Sequence, residues 1–421
     1  MKIFTNYDKN NQNITGDLSS PSTACSASWE GRCAYPVKII IGADIVPTES
    51  NFESFRKGDV EHLIGEELQE KLDKADFIIF NLEVPLTDKE EPIIKNGPNL
   101  IAPTYTMPGI QGINSDFFTL ANNHILDQGS EGMTSTIKLL DQAGIAHAGA
   151  GSNLAEARKP HIVEIADIRV GIYCCAEHEF SIATETTAGA NPFDPLESLD
   201  HVLELKSQCD YVIVLYHGGK EHYRYPSPQL QKVCRKLVEK GTDLVVCQHS
   251  HCIGSKEEWK NGTIVYGQGN FLFDHSESEY WQTSLLIEVE LEKVADKLQA
   301  RYHFYPLQKN KETVRLAHGE MAIQIMTDFQ ERSAAITKTK YVQEQYQSFA
   351  EEMLMDYLAT FFGSSARNPI FRVLNKFSRH RLLRWRMNRR YRNQEKLALR
   401  NCIECEAHRE LLLRGLVGDE R

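Results

Sequence analysis

The feature that most constrains the fold of this chain is a series of short apolar runs that end in polar side chains. Six such runs occur in order: KIIIGAD, DFIIFNLE, FFTLANNHILDQG, YVIVLYHGGKEH, LVVCQHSH and TIVYGQGNFLFD. They are rich in β-branched residues and alternate with segments of helical spacing, a pattern typical of an α/β domain. In open α/β sheets, ligands bind outside the carboxyl ends of the strands. The repeated polar run ends therefore predict one functional site at that edge.

One helix between these runs has clear boundaries in the sequence. Ser227 suits the N-cap, Pro228 suits the first helical position, and Gly241 suits the position after the last turn. The spacing predicts a helix over residues 228–240 with an apolar stripe on one face. Similar stripes occur within residues 63–72 and 133–140.

The pattern divides the chain into three parts. Residues 1–36 are rich in Asn, Ser, Thr and Gly, which predicts a flexible leader. Residues 37–310 carry the α/β pattern. The strand pattern then fades, and residues 311–421 predict an α-helical C-terminal extension.

Composition and charge narrow the class of protein. The 421 residues are 41% hydrophobic and 25% charged, as in a globular protein, and the formal net charge of −11 argues against a nucleic-acid partner. No apolar stretch reaches the roughly 18 to 20 residues needed to cross a bilayer, and the N-terminus lacks the apolar region of a secretory signal. Several of the ten cysteines lie inside apolar runs, which indicates buried thiols in a reducing compartment. The sequence therefore predicts a cytoplasmic protein.

One segment departs from the acidic average. Residues 366–400 contain twelve Lys or Arg and one acidic residue, Glu395, with apolar residues such as Phe371, Leu374 and Trp385 between them. A basic amphipathic helix of this kind predicts peripheral association with an anionic membrane, at the inner membrane face, or with an acidic partner. The alternative is a helix that docks on the acidic domain of its own chain.

The polar residues at the run ends indicate a metal site. They comprise carboxylates, amides and imidazoles without thiolates, a set that suits divalent manganese, iron or zinc. The set is too large for one tetrahedral zinc ion and fits two ions that share a bridging carboxylate. Two such ions can activate a water and stabilise the attacking and leaving oxygens of a phosphoryl transfer. His249 and His251 are two residues apart, so in an extended segment both would face the same point.

Other polar residues near the run ends are candidate contacts for a phosphoester or an anionic polymer. The predicted substrate contacts are Asn81, Asn122, Lys95, Lys220, Glu221, His222 and Asn270. The stretches CAEHEFS and GANPFDP follow another strand-like run, RVGIYCC. They either line the substrate pocket or form turn-rich connections.

With these residues assembled, the sequence resembles the CapA family of capsule and poly-γ-glutamate synthesis proteins, which looks like a branch of the calcineurin-like metallophosphoesterases. The resemblance covers residues 39–273 and rests on GAD, NLEVPL, ANNHILDQG, HGGKEH, QHSHCIG and YGQGNFLFD, in that order. It implies an α/β fold, a metallophosphoesterase-like sandwich of two mixed β-sheets flanked by helices. The wider superfamily has Asp-x-His and Gly-Asp motifs. Here Asp44 is followed by Ile45 and Val46, so the histidine of the first motif is absent. In place of the Gly-Asp motif the chain has Asn-Leu-Glu, which ends at Glu83.

The resemblance also implies roles for individual residues. The metal ligands would be Asp44, Glu83, Asn123, His217, His249 and His251, with Glu83 in the bridging position. His124 would donate a proton or contact phosphate, and Asp127 would be its partner. The implied function is a metal-dependent, phosphoesterase-like hydrolase in the synthesis of a capsule polymer. Two alternatives stay open: a non-catalytic component that binds or exports an anionic polymer, and a metal-dependent amide or peptide hydrolase.

Overall fold

A computed structural model describes residues 36–274, 278–295, 297–361, 381–404 and 408 of the chain. Within these ranges the strands are β1 (Val37–Val46), β2 (Phe77–Leu82), β3 (Phe117–Thr119), β4 (Ala146–Ala148), β5 (Ala150–Gly151), β6 (His161–Ile165), β7 (Ile168–Ala176), β8 (Gly189–Ala190), β9 (Tyr211–His217), β10 (Leu244–Gln248), β11 (Lys256–Trp259), β12 (Gly262–Val265), β13 (Asn270–Phe273), β14 (Thr283–Val294), β15 (Lys297–Asn310) and β16 (Thr313–Leu316). The helices are α1 (Phe52–Lys57), α2 (Val60–Ile64), α3 (Glu66–Asp73), α4 (Met107–Gly112), α5 (Gly129–Ala143), α6 (Leu154–Ala157), α7 (Ser198–Gln208), α8 (Pro228–Glu239), α9 (Gly319–Ala335), α10 (Thr339–Phe361), α11 (Arg381–Arg390) and α12 (Asn393–Glu404). Short 3-10 helices cover Thr104–Thr106 and Glu279–Trp281.

The first sheet is built around β1. Its strand order is β16-β15-β14-β1-β2-β3-β4, with β1 to β4 parallel and β14 to β16 antiparallel to their neighbours. Near its carboxyl end β1 pairs with β13 instead of β14, which places Asp44 beside both Asn81 and Asn270. β16 extends this sheet to Leu316, and the predicted domain boundaries at residues 36 and 310 stay predictions.

The second sheet has the order β11-β12-β10-β9-β7-β6, with parallel pairs in the centre and an antiparallel pair at each edge. Both sheets contribute to one apolar core, in which Ile39 and Ile79 of the first sheet join Ile172, Ile213 and Val246 of the second. Helices α1 to α5 pack against the first sheet, and α7 and α8 cover the outer face of the second. The predicted fold class, a sandwich of two mixed sheets flanked by helices, is confirmed.

The helix predicted over residues 228–240 is confirmed as α8. Ser227 caps it by accepting a hydrogen bond from the backbone N–H of Leu230 at 3.0 Å, and Gly241 follows its last turn with a φ of +114°. The stripe predicted within residues 63–72 is divided between α2 and α3. Gly65 separates the two helices because its φ of +76° lies in the region that favours glycine.

Within the predicted C-terminal extension, β16 is a strand of the first sheet, and the described residues beyond it form helices α9 to α12 with their short connections. Phe329 of α9 packs on Leu285 of the first sheet, and Val342 of α10 joins the apolar cluster beneath α8. Leu358, near the end of α10, packs against α11. Among the described helices, none combines the length and the apolar composition needed to span a membrane. The predicted leader, apart from Pro36, and residues 362–380 lie outside the described ranges.

Candidate metal centre

The predicted ligands meet at one edge of the two sheets. Asp44 lies near the carboxyl end of β1, Glu83 directly follows β2, and Asn123 lies in the connection after β3. In the second sheet, His217 is the last residue of β9 and pairs in register with Gln248, the last residue of β10. The carboxyl ends of parallel strands in both sheets therefore supply the site, as the sequence predicts.

The two histidines of the QHSH motif reach this edge by a route that the sequence did not predict. β10 ends at Gln248, so His249 and His251 lie in a turn rather than in an extended strand, and the extended geometry expected from their spacing is wrong. Their φ angles are +86° and +52°, a region that costs about 1–3 kcal/mol for a residue other than glycine. The turn nevertheless brings their ring centroids to 6.0 Å. Strained backbone of this kind is concentrated at functional sites.

One ligand group surrounds the Nε2 atom of His217. Asn123 Oδ1 lies 3.0 Å from this atom, His249 Nδ1 lies 3.2 Å from it, and Glu83 Oε1 lies 3.3 Å from it. A single ring N–H cannot satisfy three electron-rich neighbours. Atoms that share one ion through bonds of about 2.1 Å lie roughly 3.0–3.4 Å apart at octahedral or tetrahedral angles. The spacing around His217 is therefore that of ligands to one shared ion.

A second group joins Glu83 to Asp44 and His251. One ligand atom from each of these residues lies within 4.8 Å of the other two, and Asp44 Oδ2 is 3.8 Å from His251 Nδ1. Glu83 belongs to both groups, which is the bridging position that the sequence resemblance implies. Glu83 is thus the one carboxylate that both ligand groups contain.

Three carboxylate oxygens test whether this centre fits a divalent cation. Asp44 Oδ2 and both side-chain oxygens of Glu83 are buried and form no hydrogen bond with any described residue. A buried oxygen without a partner costs about 1–3 kcal/mol, and more when it carries charge. A cation between the two ligand groups would remove this cost. The donor set of carboxylates, one amide oxygen and imidazoles also suits a divalent ion of the manganese, iron or zinc type.

The electrostatics of the ligands agree with this assignment. Burial raises the pKa of Asp44 well above its usual range and raises the pKa of Glu83 to about 7. Burial also lowers the pKa of His217 and His249, and it lowers the pKa of His251 to about 3. The imidazoles are therefore neutral at pH 7, which is the form that binds metal. The carboxylates lack the positive charge that a divalent ion would supply.

Beside the ligands, His124 and Asp127 form the predicted pair. His124 Nδ1 lies 2.5 Å from Asp127 Oδ2, and the backbone N–H of Leu100 donates to the same oxygen at 2.6 Å. Lys95 Nζ contacts Asp127 Oδ1 and lies 3.3 Å from His124 Nδ1. The side chain of Lys95 is only 4% exposed and forms an ion pair with Asp127. Its predicted role as a substrate contact stays a prediction.

Three asparagines among the predicted substrate contacts lie behind the ligands and are fully buried. Asn81 Nδ2 donates to Asp44 Oδ1 at 2.8 Å, and Asn122 Nδ2 donates to Asn81 Oδ1 at 3.1 Å. Asn270 Oδ1 lies 2.8 Å from His251 Nδ1. The contact from Asn81, itself held by Asn122, fixes the orientation of Asp44, a function that partners of metal ligands commonly have. Asn270 lies against the same nitrogen of His251 that faces Asp44.

The predicted contacts after β9 lie at the rim of the site. Lys220 is half-buried, with its Nζ 5.7 Å from the ring centroid of Tyr357 in α10. Glu221 is near enough to raise the pKa of Glu83, although burial is the larger cause of that shift. His222 Nε2 accepts a hydrogen bond from Trp281 Nε1 at 2.9 Å.

Sequence reasoning missed two residues at this centre. Trp281 is buried and stacks on His251 with a centroid distance of 4.4 Å and an interplanar angle of 24°. Glu179 accepts a hydrogen bond from Asn123 Nδ2 at 3.3 Å and lies 4.0 Å from His249 Nε2. Glu179 belongs to the CAEHEFS stretch, which was a signal for the pocket. Trp281 had no comparable signal in the sequence, because it is distant from His251 along the chain and only the folded structure brings the two rings together.

Replacement of Glu179 by Gln is expected to weaken the affinity for Mn²⁺ or Zn²⁺ by about tenfold or more, as for other partners of metal ligands. Glu179 accepts from the Asn123 amide nitrogen, which directs the amide oxygen towards His217. Its charge also faces the second nitrogen of His249. Isothermal titration calorimetry on the metal-free protein measures the effect. Glu185→Gln, an exposed position in the same connection, is the control, and equal affinities for both variants would contradict the prediction.

Comparison with known proteins gives a consistent family. The model for "Bacterial capsule synthesis protein PGA_cap" matches residues 38–275. The chain is 30% identical over 213 residues to "Capsule biosynthesis protein CapA" of Bacillus anthracis, covering 48% of this chain and 52% of that protein. It is 26% identical over 231 residues to "PGA biosynthesis protein CapA" of Bacillus subtilis (strain 168), covering 52% and 58%. The matched region thus spans about half the length of these relatives.

Solved structures are more distant. A novel phosphatase from Mycoplasma pneumoniae aligns with a TM-score of 0.41 at 12% identity, covering 64% of this chain and 94% of the other. A 5'-nucleotidase precursor from Thermus thermophilus aligns with a TM-score of 0.39 at 13% identity, covering 76% and 59%. The family match, by contrast, extends over more than half of the chain and includes every predicted metal ligand. The chain therefore belongs to the family of bacterial capsule synthesis proteins.

Proposed function

We propose that this protein is a divalent-metal-dependent hydrolase of the phosphoesterase type that acts in the synthesis of an extracellular anionic polymer. The observation that carries the proposal is the position of Glu83. Its two side-chain oxygens are buried without hydrogen bonds and belong to two adjacent ligand groups. The family and the names of the relatives, which refer to capsule and PGA biosynthesis, support the polymer context.

The two ligand groups would hold one ion each. Asn123, His217 and His249 would bind the first ion, Asp44 and His251 would bind the second, and Glu83 would contact both. When bound, such ions supply Lewis-acid activation of water and stabilise negative charge on phosphoryl oxygens. Asn81 would keep Asp44 in its binding orientation.

His124 is the residue of this chain that would move a proton. Its Nδ1 faces Asp127, so Nε2 is the nitrogen available to donate a proton to a leaving oxygen. Lys95 and the backbone N–H of Leu100 bind the two oxygens of Asp127 and hold the carboxylate in place. This arrangement fixes the plane of the imidazole before substrate binds, which is the preorganisation that acid catalysis requires.

A substrate panel on the metal-loaded protein tests the proposal. The panel contains a phosphomonoester, a phosphodiester and a γ-glutamyl amide, each assayed with Mn²⁺ or Zn²⁺ and after chelation. We expect metal-dependent release of phosphate or alcohol from a phosphoester. Hydrolysis of the amide alone would support the peptidase alternative. A fully loaded protein that binds soluble polyglutamate and hydrolyses no substrate would overturn the enzyme proposal and support a binding or export component.

A further inference from the structure

The described part of the basic C-terminal segment comprises α11 and the first residues of α12, and α11 exposes an unusually basic side to solvent. α11 has the sequence RLLRWRMNRR, with five arginines and no acidic residue. Leu383 and Met387 are buried against Leu358 of α10. The opposite side of α11 is exposed to solvent. An apolar residue on that side, Trp385, is therefore not buried against its own chain.

Three arginines surround one tryptophan on this exposed side. Residues four apart lie on the same side of a helix, so Arg381, Trp385 and Arg389 form one row, and Arg384 lies beside it. All four side chains are exposed, and the Arg389 guanidinium lies 5.6 Å from the centroid of the Trp385 ring. We refer to these four residues as the basic face.

Trp385 decides what kind of partner the basic face suits. Its side chain is 59% exposed, the largest value for an aromatic residue in the described ranges. A surface with positive charge alone would bind any soluble polyanion. A tryptophan at the centre of an arginine cluster is instead the composition of an interfacial helix, in which the ring enters the headgroup region and the guanidinium groups bind lipid phosphates.

The basic face is connected to the metal centre through α10. Tyr357 lies 5.7 Å from Lys220, in the loop that follows the ligand His217, and the next residue, Leu358, packs on α11. Tyr223 of the same loop stacks on Phe349 of α10 with a centroid distance of 4.5 Å. A surface bound by α11 would therefore lie near the loop that contains Lys220 and Tyr223, beside the metal centre.

We propose that the basic face docks the protein on an anionic lipid bilayer. This inference is independent of the proposed hydrolase, because it rests on α11 and not on the ligands. Residues 366–380 of the predicted basic segment lie outside the described ranges.

Vesicle sedimentation of the full-length protein is the test. Vesicles of phosphatidylcholine with about 30% phosphatidylglycerol are compared with pure phosphatidylcholine, at low and high salt. The triple variant Arg381→Gln, Arg384→Gln, Arg389→Gln is expected to bind the anionic vesicles more weakly by on the order of a hundredfold, because each basic group contributes about fivefold near such a surface. Trp385→Ala is expected to weaken binding at both salt concentrations, since insertion of the ring is not screened by salt.

A matched variant removes the same charge elsewhere. Lys57→Gln, Lys74→Gln, Lys138→Gln replaces three exposed lysines outside the basic face and is expected to bind vesicles as the wild type does. Metal affinity should be unchanged in both triple variants, which excludes misfolding as the cause. Equal vesicle binding by the two triple variants would overturn the proposal. Binding of soluble polyglutamate as tight as vesicle binding, with both unaffected by Trp385→Ala, would assign the basic face to a soluble polyanion instead.

Discussion

Glu83→Gln is expected to abolish metal-dependent stabilisation while making the metal-free protein more stable. Glu83 belongs to both ligand groups, so its replacement weakens both sites at once. Wild-type protein should unfold at a higher temperature when Mn²⁺ is added, by mass action, since about 2.7 kcal/mol is gained at a hundredfold excess over the dissociation constant. The variant should show little or no such increase.

The higher stability expected of the metal-free Glu83→Gln variant follows from the loss of a buried charge. Burial raises the pKa of Glu83 from 4.5 to about 7. The folded protein therefore binds this proton more tightly than the unfolded chain, and ionisation destabilises the fold as the pH rises above the unfolded value of 4.5. At pH 8 the penalty corresponds to about 3 kcal/mol. Glutamine has the same shape without the charge, so Glu83→Gln should unfold at a temperature a few degrees higher than the metal-free wild type.

Glu257→Gln is the matched control for this experiment. Glu257 is also buried, but its carboxylate is bound by Arg235 and accepts a hydrogen bond from Tyr266 at 2.8 Å. Its replacement should lower stability and leave the response to Mn²⁺ intact, the opposite of the result for Glu83. Calorimetry of both variants with and without metal measures all four transitions. A Glu83→Gln variant that still gains the full stabilisation from Mn²⁺ would rule out the shared carboxylate.

His124→Ala is expected to slow turnover by roughly a hundredfold or more with nearly unchanged metal content. The imidazole is oriented by Asp127 and lies beside the ligands without belonging to either ligand group. The loss should depend on the leaving group. An alkyl phosphoester needs a proton on its departing oxygen, whereas a 4-nitrophenyl ester does not, so the variant should lose much more activity on the alkyl substrate.

A histidine on β4 provides the control. His147 Nε2 lies 3.0 Å from Asp141 Oδ1, so it forms a similar pair with an aspartate outside the ligand groups. His147→Ala should leave turnover and metal content as in the wild type. Equal losses on the alkyl and 4-nitrophenyl substrates in His124→Ala would argue that His124 binds phosphate and does not donate a proton. A parallel loss of metal would place it among the ligands.

Much of the site could be predicted from the sequence, because residues that follow parallel strands gather at one edge of a sheet, where ligands bind. A run such as KIIIGAD favours a buried strand, and the residue types that follow six such runs are ones that commonly bind metal ions. Parallel pairing then brings those ends to one edge, as the register of Asp44 with Asn81 and of His217 with Gln248 shows. Local capping rules were equally sufficient for the start of α8 at Pro228, which the preceding Ser227 caps.

The sequence by itself therefore determined the fold class, the helix boundary at Ser227 and the residues that meet at the edge of the sheets. Only the tertiary structure decided how they meet. It placed His249 and His251 in a turn of positive φ, buried Lys95 against Asp127, and brought Glu179 to Asn123. These outcomes depend on contacts between residues distant in sequence, Glu179 and Asn123 being 56 positions apart. Periodicity and propensity report only neighbours along the chain, whereas burial and charge depend on what packs from other elements.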